Sequence, residues 1–342
     1  MRVIETRNVN SAILRGIDLF QDTENYIEQD SRNGKTLECV EPVTTVFKKP
    51  LERVCLIEER DANPFFHFIE SMWMIAGRDD LNSLTYYVSS MSNFSDDGET
   101  LWGAYGKRWR KYFLKDQLDV IVKILKYNPD DRRAVLQMWD PLMDLAKNGK
   151  DVPCNTNIYF KIRDNKLNMT VCNRSNDMLW GAYGANVVHM SVLQEYIAHK
   201  LEIDVGIYRQ VSDSFHVYLN DVWDKVKHLT LDVYFKSTNN YDALEDYKPF
   251  SLFYDNGVLD WELNRFFHYH PADLITSNNW ESPCMRDIAV PMATAYSFYK
   301  SRNFYEALQQ CERIVPVDWK NACLSWLRTR EQRHYELAEK GE

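Results

Sequence analysis

The sequence lacks most of the signatures from which a function is read directly. No CxxC pair occurs, and the seven cysteines (Cys39, Cys55, Cys154, Cys172, Cys284, Cys311 and Cys323) are odd in number and irregularly spaced. That excludes a zinc framework and fits reduced thiols in a cytoplasmic protein. No His/Cys cluster has metal-ligand spacing, so no metal is expected. Neither a Walker A nor a GxGxxG pattern is present, which removes the phosphate-loop and dinucleotide folds. No apolar run reaches the roughly 18 residues of a membrane span, and the opening MRVIETRNVN has no leader-like apolar stretch. Repeats and low-complexity segments are also missing. Positive charge is short: 41 Lys and Arg against 50 Asp and Glu give a net charge of −9. This argues against bulk nucleic-acid binding and leaves room for a local phosphate site.

What is present reads as a globular chain of 342 residues, 45% apolar and 13% aromatic, enough for one large domain or two ordinary ones. Periodicity predicts helices over 8–20, 64–76, 80–91, 115–127, 186–201 and 220–230. Strands are expected within 36–59, the second of them over RVCLIEE, and over 134–139, 156–163, 167–173 and 206–211. Residues 93–112 and 177–185 read as Gly- and aromatic-rich loops, 232–285 as short strands and loops, and 290–340 as helices broken at Pro316.

Several residues stand out within this frame. Pro153-Cys154 puts a thiol on a proline-set turn before a strand, and the next strand delivers Arg174 and Ser175. A thiol beside a guanidinium, which lowers its pKa, is a candidate nucleophile with an anion clamp. Arg32, Arg132 and Arg133 are further anion binders, although paired arginines are most often surface charge. Glu70 sits inside an apolar helix and needs a cation or a task. Tyr105 lies in the Gly-rich loop, and His216 and Tyr218 share a strand face. Asn186 reads plainly as a helix N-cap, and His67 and His189 as packed residues.

The order and spacing of these pieces resemble the thymidylate synthase family, including its phage nucleotide hydroxymethylases. The resemblance runs from Arg32 to Tyr218 through Glu70-Ser-Met-Trp73, Tyr105-Gly-Lys-Arg-Trp-Arg110, Asp131-Arg-Arg133, Pro153-Cys154, Arg174-Ser-Asn-Asp177, Gly181 and Asn186. It implies an α+β fold, a large mixed β-sheet with flanking helices over residues 1–285, with a helical C-terminal extension over 286–342. It implies that Cys154 adds to C6 of a pyrimidine deoxynucleotide monophosphate, and that C5 then takes a one-carbon unit from 5,10-methylenetetrahydrofolate. Tyr105 would serve removal of the C5 proton, and Glu70 would order water and assist proton transfers. Arg32, Arg174 and Ser175 would bind the phosphate, with Arg132 and Arg133 donated by the partner of a homodimer. Asn186 would read the base, His216 and Tyr218 the 3′-hydroxyl, and Asp177 the folate.

The sequence departs from the usual synthase pattern at five places. Asn155 replaces a His, Asn173 replaces a Gln, and the segments Gly181 to Asn186 and Asp213 to His216 are each one residue longer. The short C-terminal segment that closes over folate is replaced by helices. A changed lid admits water, so the expected product leans to 5-hydroxymethyl-dUMP. Thymidylate synthesis and dCMP hydroxymethylation are the alternatives within the family, although an Asn at the base-reading position favours dUMP. A catalytically dead member that binds a nucleotide or mRNA is the alternative of another class.

Overall fold

The computed structural model describes residues 1–232, 241–244, 247–253, 257–277 and 279–340. Among these, eight strands form one mixed sheet: β1 (Arg2–Thr6), β2 (Tyr26–Ser31), β3 (Gly34–Cys39), β4 (Val43–Phe47), β5 (Val135–Gln137), β6 (Asn155–Arg163), β7 (Lys166–Asp177) and β8 (Asp204–Tyr218). The order is β1-β4-β8-β7-β6-β5, with β1/β4 and β7/β8 parallel and the other pairs antiparallel. One edge of β8 serves two neighbours, residues 208–212 pairing with β4 and 216–218 with β3. The α+β sheet with flanking helices is therefore the fold that the sequence implied.

Alternation along the strands decides which face is covered. Val43, Thr45 and Phe47 of β4, Leu167, Met169 and Val171 of β7, and Tyr208, Gln210 and Ser212 of β8 are buried beneath the helices. The polar members of this set are satisfied. Thr45 Oγ1 meets Tyr183 Oη at 2.8 Å, and Gln210 Nε2 donates to Ala182 O at 3.2 Å. Both bonds tie the sheet to the segment that leads into the cleft.

Helix Pro64–Ile75 is apolar all round because it is covered on all sides. Asn63 caps it by accepting from Phe66 N at 3.1 Å, and Pro64 takes the first turn, where its missing N–H costs nothing. It packs against helix Asn186–Leu201 on one side and the C-terminal helices on the other. Phe65 meets Tyr296 and Trp326, each at 5.5 Å between ring centres, and Phe68 meets Trp319 at 5.2 Å. The C-terminal helices are Val290–Lys300, Phe304–Glu312 and Val317–Lys340, with the last break at Pro316 as read from the sequence.

Several expectations are corrected. RVCLIEE forms no strand: the side chain of Asn10 takes the place of a ladder partner, donating to Val54 O at 3.0 Å and accepting from Leu56 N at 2.8 Å. The helix over 80–91 shrinks to Asn82–Thr85 followed by a 3₁₀ turn at Ser89–Phe94, because Val88 is extended. The loop over 93–112 ends in helix, Tyr105–Lys107 running into a π turn at Arg108–Tyr112. The loop over 177–185 is a π-helical segment, Met178–Ala185. No strand occurs among the described residues of 232–285, where helix Leu259–Phe266 forms instead; residues 233–240, 245–246, 254–256 and 278 lie outside the described ones. Strands β1 and β2 went unanticipated.

Candidate active site

Three strand ends converge. The antiparallel register sets Asn155 opposite Asn173, and Arg174 N donates to Cys154 O at 2.9 Å. The parallel register sets Ser175 beside Ser214 and Asp177 beside His216. A bulge between Asn155 and Asn157 breaks the ladder just after the thiol, a common way to re-aim a side chain beside a site. Together with the helices, these strand ends enclose a cleft of about 650 Å³.

Cys154, Glu70, Tyr105, Ser175, Asp177, Asn186, His216 and Tyr218 all line this cleft. Tyr105 Oη accepts from the backbone N–H of Cys154 at 3.3 Å and of Asn155 at 3.4 Å. Asp177 accepts from Trp180 N and, at 3.3 Å, from Tyr218 N. His216 Nδ1 meets Ser214 Oγ at 3.2 Å, and that hydroxyl donates to Glu38 at 2.8 Å. Glu70 is buried, and its Oε2 lies 3.0 Å from His189 Nε2.

Four of the expected residues sit apart from the cleft lining. The guanidinium of Arg174 donates to Pro153 O at 2.9 Å and Val152 O at 3.0 Å, and that of Arg32 to Gly149 O at 2.9 Å and Lys150 O at 2.8 Å. The two arginines thus strap the loop ahead of Cys154, and both act on the thiol electrostatically. Arg132 and Arg133 are exposed at the start of β5, Arg133 paired with Asp131 at 2.7 Å, and neither reaches the cleft of its own chain.

The electrostatics correct one expectation. Burial pushes the Cys154 thiol above its ordinary value; Arg174 and Arg32 pull it down and Asp151 raises it, but desolvation wins. Burial likewise raises the Tyr105 phenol, with the neighbouring Cys154 adding to the shift. Asp177 is raised by burial against the pull of Trp180 N–H, His216 and Arg60. His67 is held well below its usual value by burial, then by Arg60 and His189.

Asn186 is no N-cap. Its backbone is helical, with its N–H donating to Gly181 O, and no side chain caps the helix start, because the π segment runs straight into the helix. A π segment absorbs an extra residue without breaking the helix, and such segments recur at functional sites. Here Asn186 lines the cleft, its Nδ2 donating to Asn176 Oδ1 at 3.1 Å. Gly184 permits the distortion, with φ −108° and ψ −112°; a Cβ there would stand 2.4 Å from Leu179 O.

Sequence reasoning missed Arg60, Asn176 and Trp180. Arg60 is buried, donates to Leu179 O at 3.1 and 2.8 Å, and stacks over the Trp180 ring at 4.6 Å. All three line the cleft. Arg60 is hidden in the charged run Glu58-Glu-Arg60, and Asn176 lies within a motif already quoted without being given a role.

Comparison with known proteins decides the family. The sequence profile described as thymidylate synthase matches residues 22–250. The chain belongs to the thymidylate synthase family. Within it, the chain is 42% identical to the deoxyuridylate hydroxymethyltransferase of Pseudomonas phage M6, over 96% of this chain and 95% of that one. It is 37% identical to the protein of the same name from Bacillus phage SP01, over 68% of this chain and 66% of that one. In structure it matches the thymidylate synthase of T4 phage with a TM-score of 0.51 at 22% identity, over 63% of this chain and 79% of that one. The likeness to the M6 protein extends across the C-terminal helices, beyond the span of the family profile. The chain is thus a one-carbon transferase of this family. No helix among the described residues is long and apolar enough to cross a membrane.

Proposed function

We propose that this enzyme transfers a one-carbon unit from 5,10-methylenetetrahydrofolate to C5 of dUMP and completes the reaction with water, yielding 5-hydroxymethyl-dUMP. The observation that carries the reading is the meeting of Cys154, Tyr105, Glu70 and Asn186 in one cleft, in a chain 42% identical to a deoxyuridylate hydroxymethyltransferase. The thiolate of Cys154 adds to C6 and makes C5 nucleophilic toward the one-carbon unit. Burial keeps the Tyr105 phenol protonated, so Tyr105 serves loss of the C5 proton through a water it positions rather than as phenolate. Asn186 offers a carboxamide to the base, and its bond to Asn176 restricts how that amide turns. His216 and Tyr218 bind the 3′-hydroxyl, Ser175 binds the phosphate, and Arg32 and Arg174 reach it by exchanging their bonds to the carbonyls of the loop ahead of Cys154.

The residues fit the folate cosubstrate. Phe66, Met91, Phe94 and Trp180 give the cleft an apolar wall for a flat ring, and the half-buried Asp177 carboxylate supplies a polar contact at its end. We further propose a homodimer in which Arg132 and Arg133 reach the partner's phosphate. The sheet face away from the helices supports it: Thr44, Val46, Thr170, Cys172, Ile207 and Val211 are only half-buried in the single chain. Mixing Cys154→Ser chains with Arg133→Ala chains then restores part of the activity that each lacks alone.

Product analysis tests the function. Enzyme, methylenetetrahydrofolate and dUMP or dCMP in parallel should give 5-hydroxymethyl-dUMP and tetrahydrofolate from dUMP alone. Stoichiometric dihydrofolate with dTMP overturns the reading in favour of a synthase, and turnover of dCMP alone overturns the base assignment. With 5-fluoro-dUMP and the folate, wild type should gain the mass of a covalent adduct and Cys154→Ser should not. Nucleotide binding with neither adduct nor product marks a binding protein instead.

A further inference from the structure

The helical wall of the cleft holds a group that the mechanism above leaves unused. His189 is 2% exposed, on helix Asn186–Leu201 one turn after the base-reading Asn186. Its Nε2 stands 3.0 Å from Glu70 Oε2 without the alignment of a hydrogen bond, and both ring nitrogens are buried with no hydrogen-bond partner among the described residues. Glu70 forms no other ion pair among these residues. Asp151 on the loop ahead of Cys154 acts on Glu70, His67 lies close enough to His189 and Arg60 to feel both, and Arg60 and His67 line the same cleft as Glu70. Burying a carboxylate without donors is costly, and an imidazole that is itself neutral can supply one without a second charge. The 3.0 Å separation is within the reach of that bond, and geometry of this kind tightens when substrate binds.

We propose that His189 is a positioning residue for Glu70: its Nε2–H holds Oε2, leaving the other carboxylate oxygen to take the proton of the attacking water. The proposal rests on the hydroxymethylase reading. In the step it serves, the water oxygen bonds to the exocyclic methylene carbon, the exocyclic double bond to C5 opens, and its electron pair moves onto C5. The C5–C6 double bond forms as the bond from C6 to Cys154 sulfur breaks, the sulfur leaves as thiolate with the electron pair, and the water proton passes to Glu70. Nothing is oxidised or reduced. An aspartate or glutamate base that loses such a donor binds its proton more tightly, and therefore works only at higher pH.

The test is the pH dependence of kcat for 5-hydroxymethyl-dUMP formation, with the KM for dUMP, in His189→Leu and His189→Gln. The leucine variant should lose about 10- to 100-fold in kcat, with KM within about threefold, and its acid limb should move up by about one pH unit. Glutamine carries an N–H near the position of Nε2, so it should return the limb to the wild-type position and recover most of kcat. A leucine variant with an unmoved limb overturns the proposal, whatever its kcat, because a purely packing role predicts that result. Should leucine not fold, His189→Met is read the same way. Wild type yielding no 5-hydroxymethyl product is a separate failure, that of the functional reading itself.

Discussion

The two walls of the cleft are built on different principles. The strand wall (Cys154, Ser175, Asp177, His216 and Tyr218) is placed by backbone register, and its local bonds run largely to main-chain groups. The helical wall (Glu70 and Asn186, with His189 buried behind Glu70) is placed by side chains packed in the core and by a π segment. A register is shared among many ladder bonds and tolerates a changed side chain. A packed helix contact depends on a few atoms and transmits any misfit into the cleft. Variants of the strand wall should therefore lose chemistry and keep stability, whereas variants of the helical wall should lose both.

The largest break is expected at Gly106. A Cβ there would lie 2.0 Å from Met74 O, where Tyr105–Lys107 presses on the helix that carries Glu70. Gly106→Ala should destabilise the protein by about 1–3 kcal/mol or more, read as a lower urea midpoint, and should cut kcat as well. If stability falls and the residual folded enzyme turns over normally, the helical wall does not transmit misfit as argued.

Gly184→Ala comes next. Its Cβ would meet Leu179 O at 2.4 Å, so the π segment must relax and carry Asn186 with it. A roughly 10-fold rise in KM for dUMP is expected, with a loss of about 1–2 kcal/mol in urea unfolding. An unchanged KM would separate Asn186 from base reading.

The smallest effects belong to the strand wall and concern pH. In the proposed mechanism the thiolate of Cys154 is the attacking form, and burial raises its pKa, so kcat/KM should climb with pH through and above the ordinary thiol range near 8.5. Because folding favours the neutral thiol, any stability it contributes is present below the unfolded thiol pKa and lost as pH rises through the folded one. Arg174→Met removes a lowering charge and should move the limb higher by roughly half a unit to one unit, with a urea midpoint close to wild type. A limb moving downward would contradict the electrostatics of the site.

Much of the strand wall was legible from residue order. The hairpin closed by Asp164-Asn165-Lys166, the thiol on its proline turn and the Arg174-Ser175 pair are local features whose spacing survives in the fold. The helical wall was less so. Asn186 read as a cap because an Asn before a helix ordinarily is one, and the π segment that overrides it depends on Gly184 against Leu179. RVCLIEE read as a strand because its pattern is that of one, yet Asn10 satisfies its backbone from a distant helix. His189 and Arg60 carry no local signal at all; each acquires its partner only when helix and turn pack together.

By itself the sequence determined the family and a sheet flanked by helices, and it set out the candidates for the chemistry, Cys154 as nucleophile and the arginines as anion binders. These depend on residue identity and near-neighbour spacing, which the chain carries locally. Only the tertiary structure decided where Asn186 points, what partners Glu70, and which way the thiol's pKa moves. Those depend on burial and on contacts between residues far apart in the chain, where desolvation outweighs two nearby guanidiniums at Cys154.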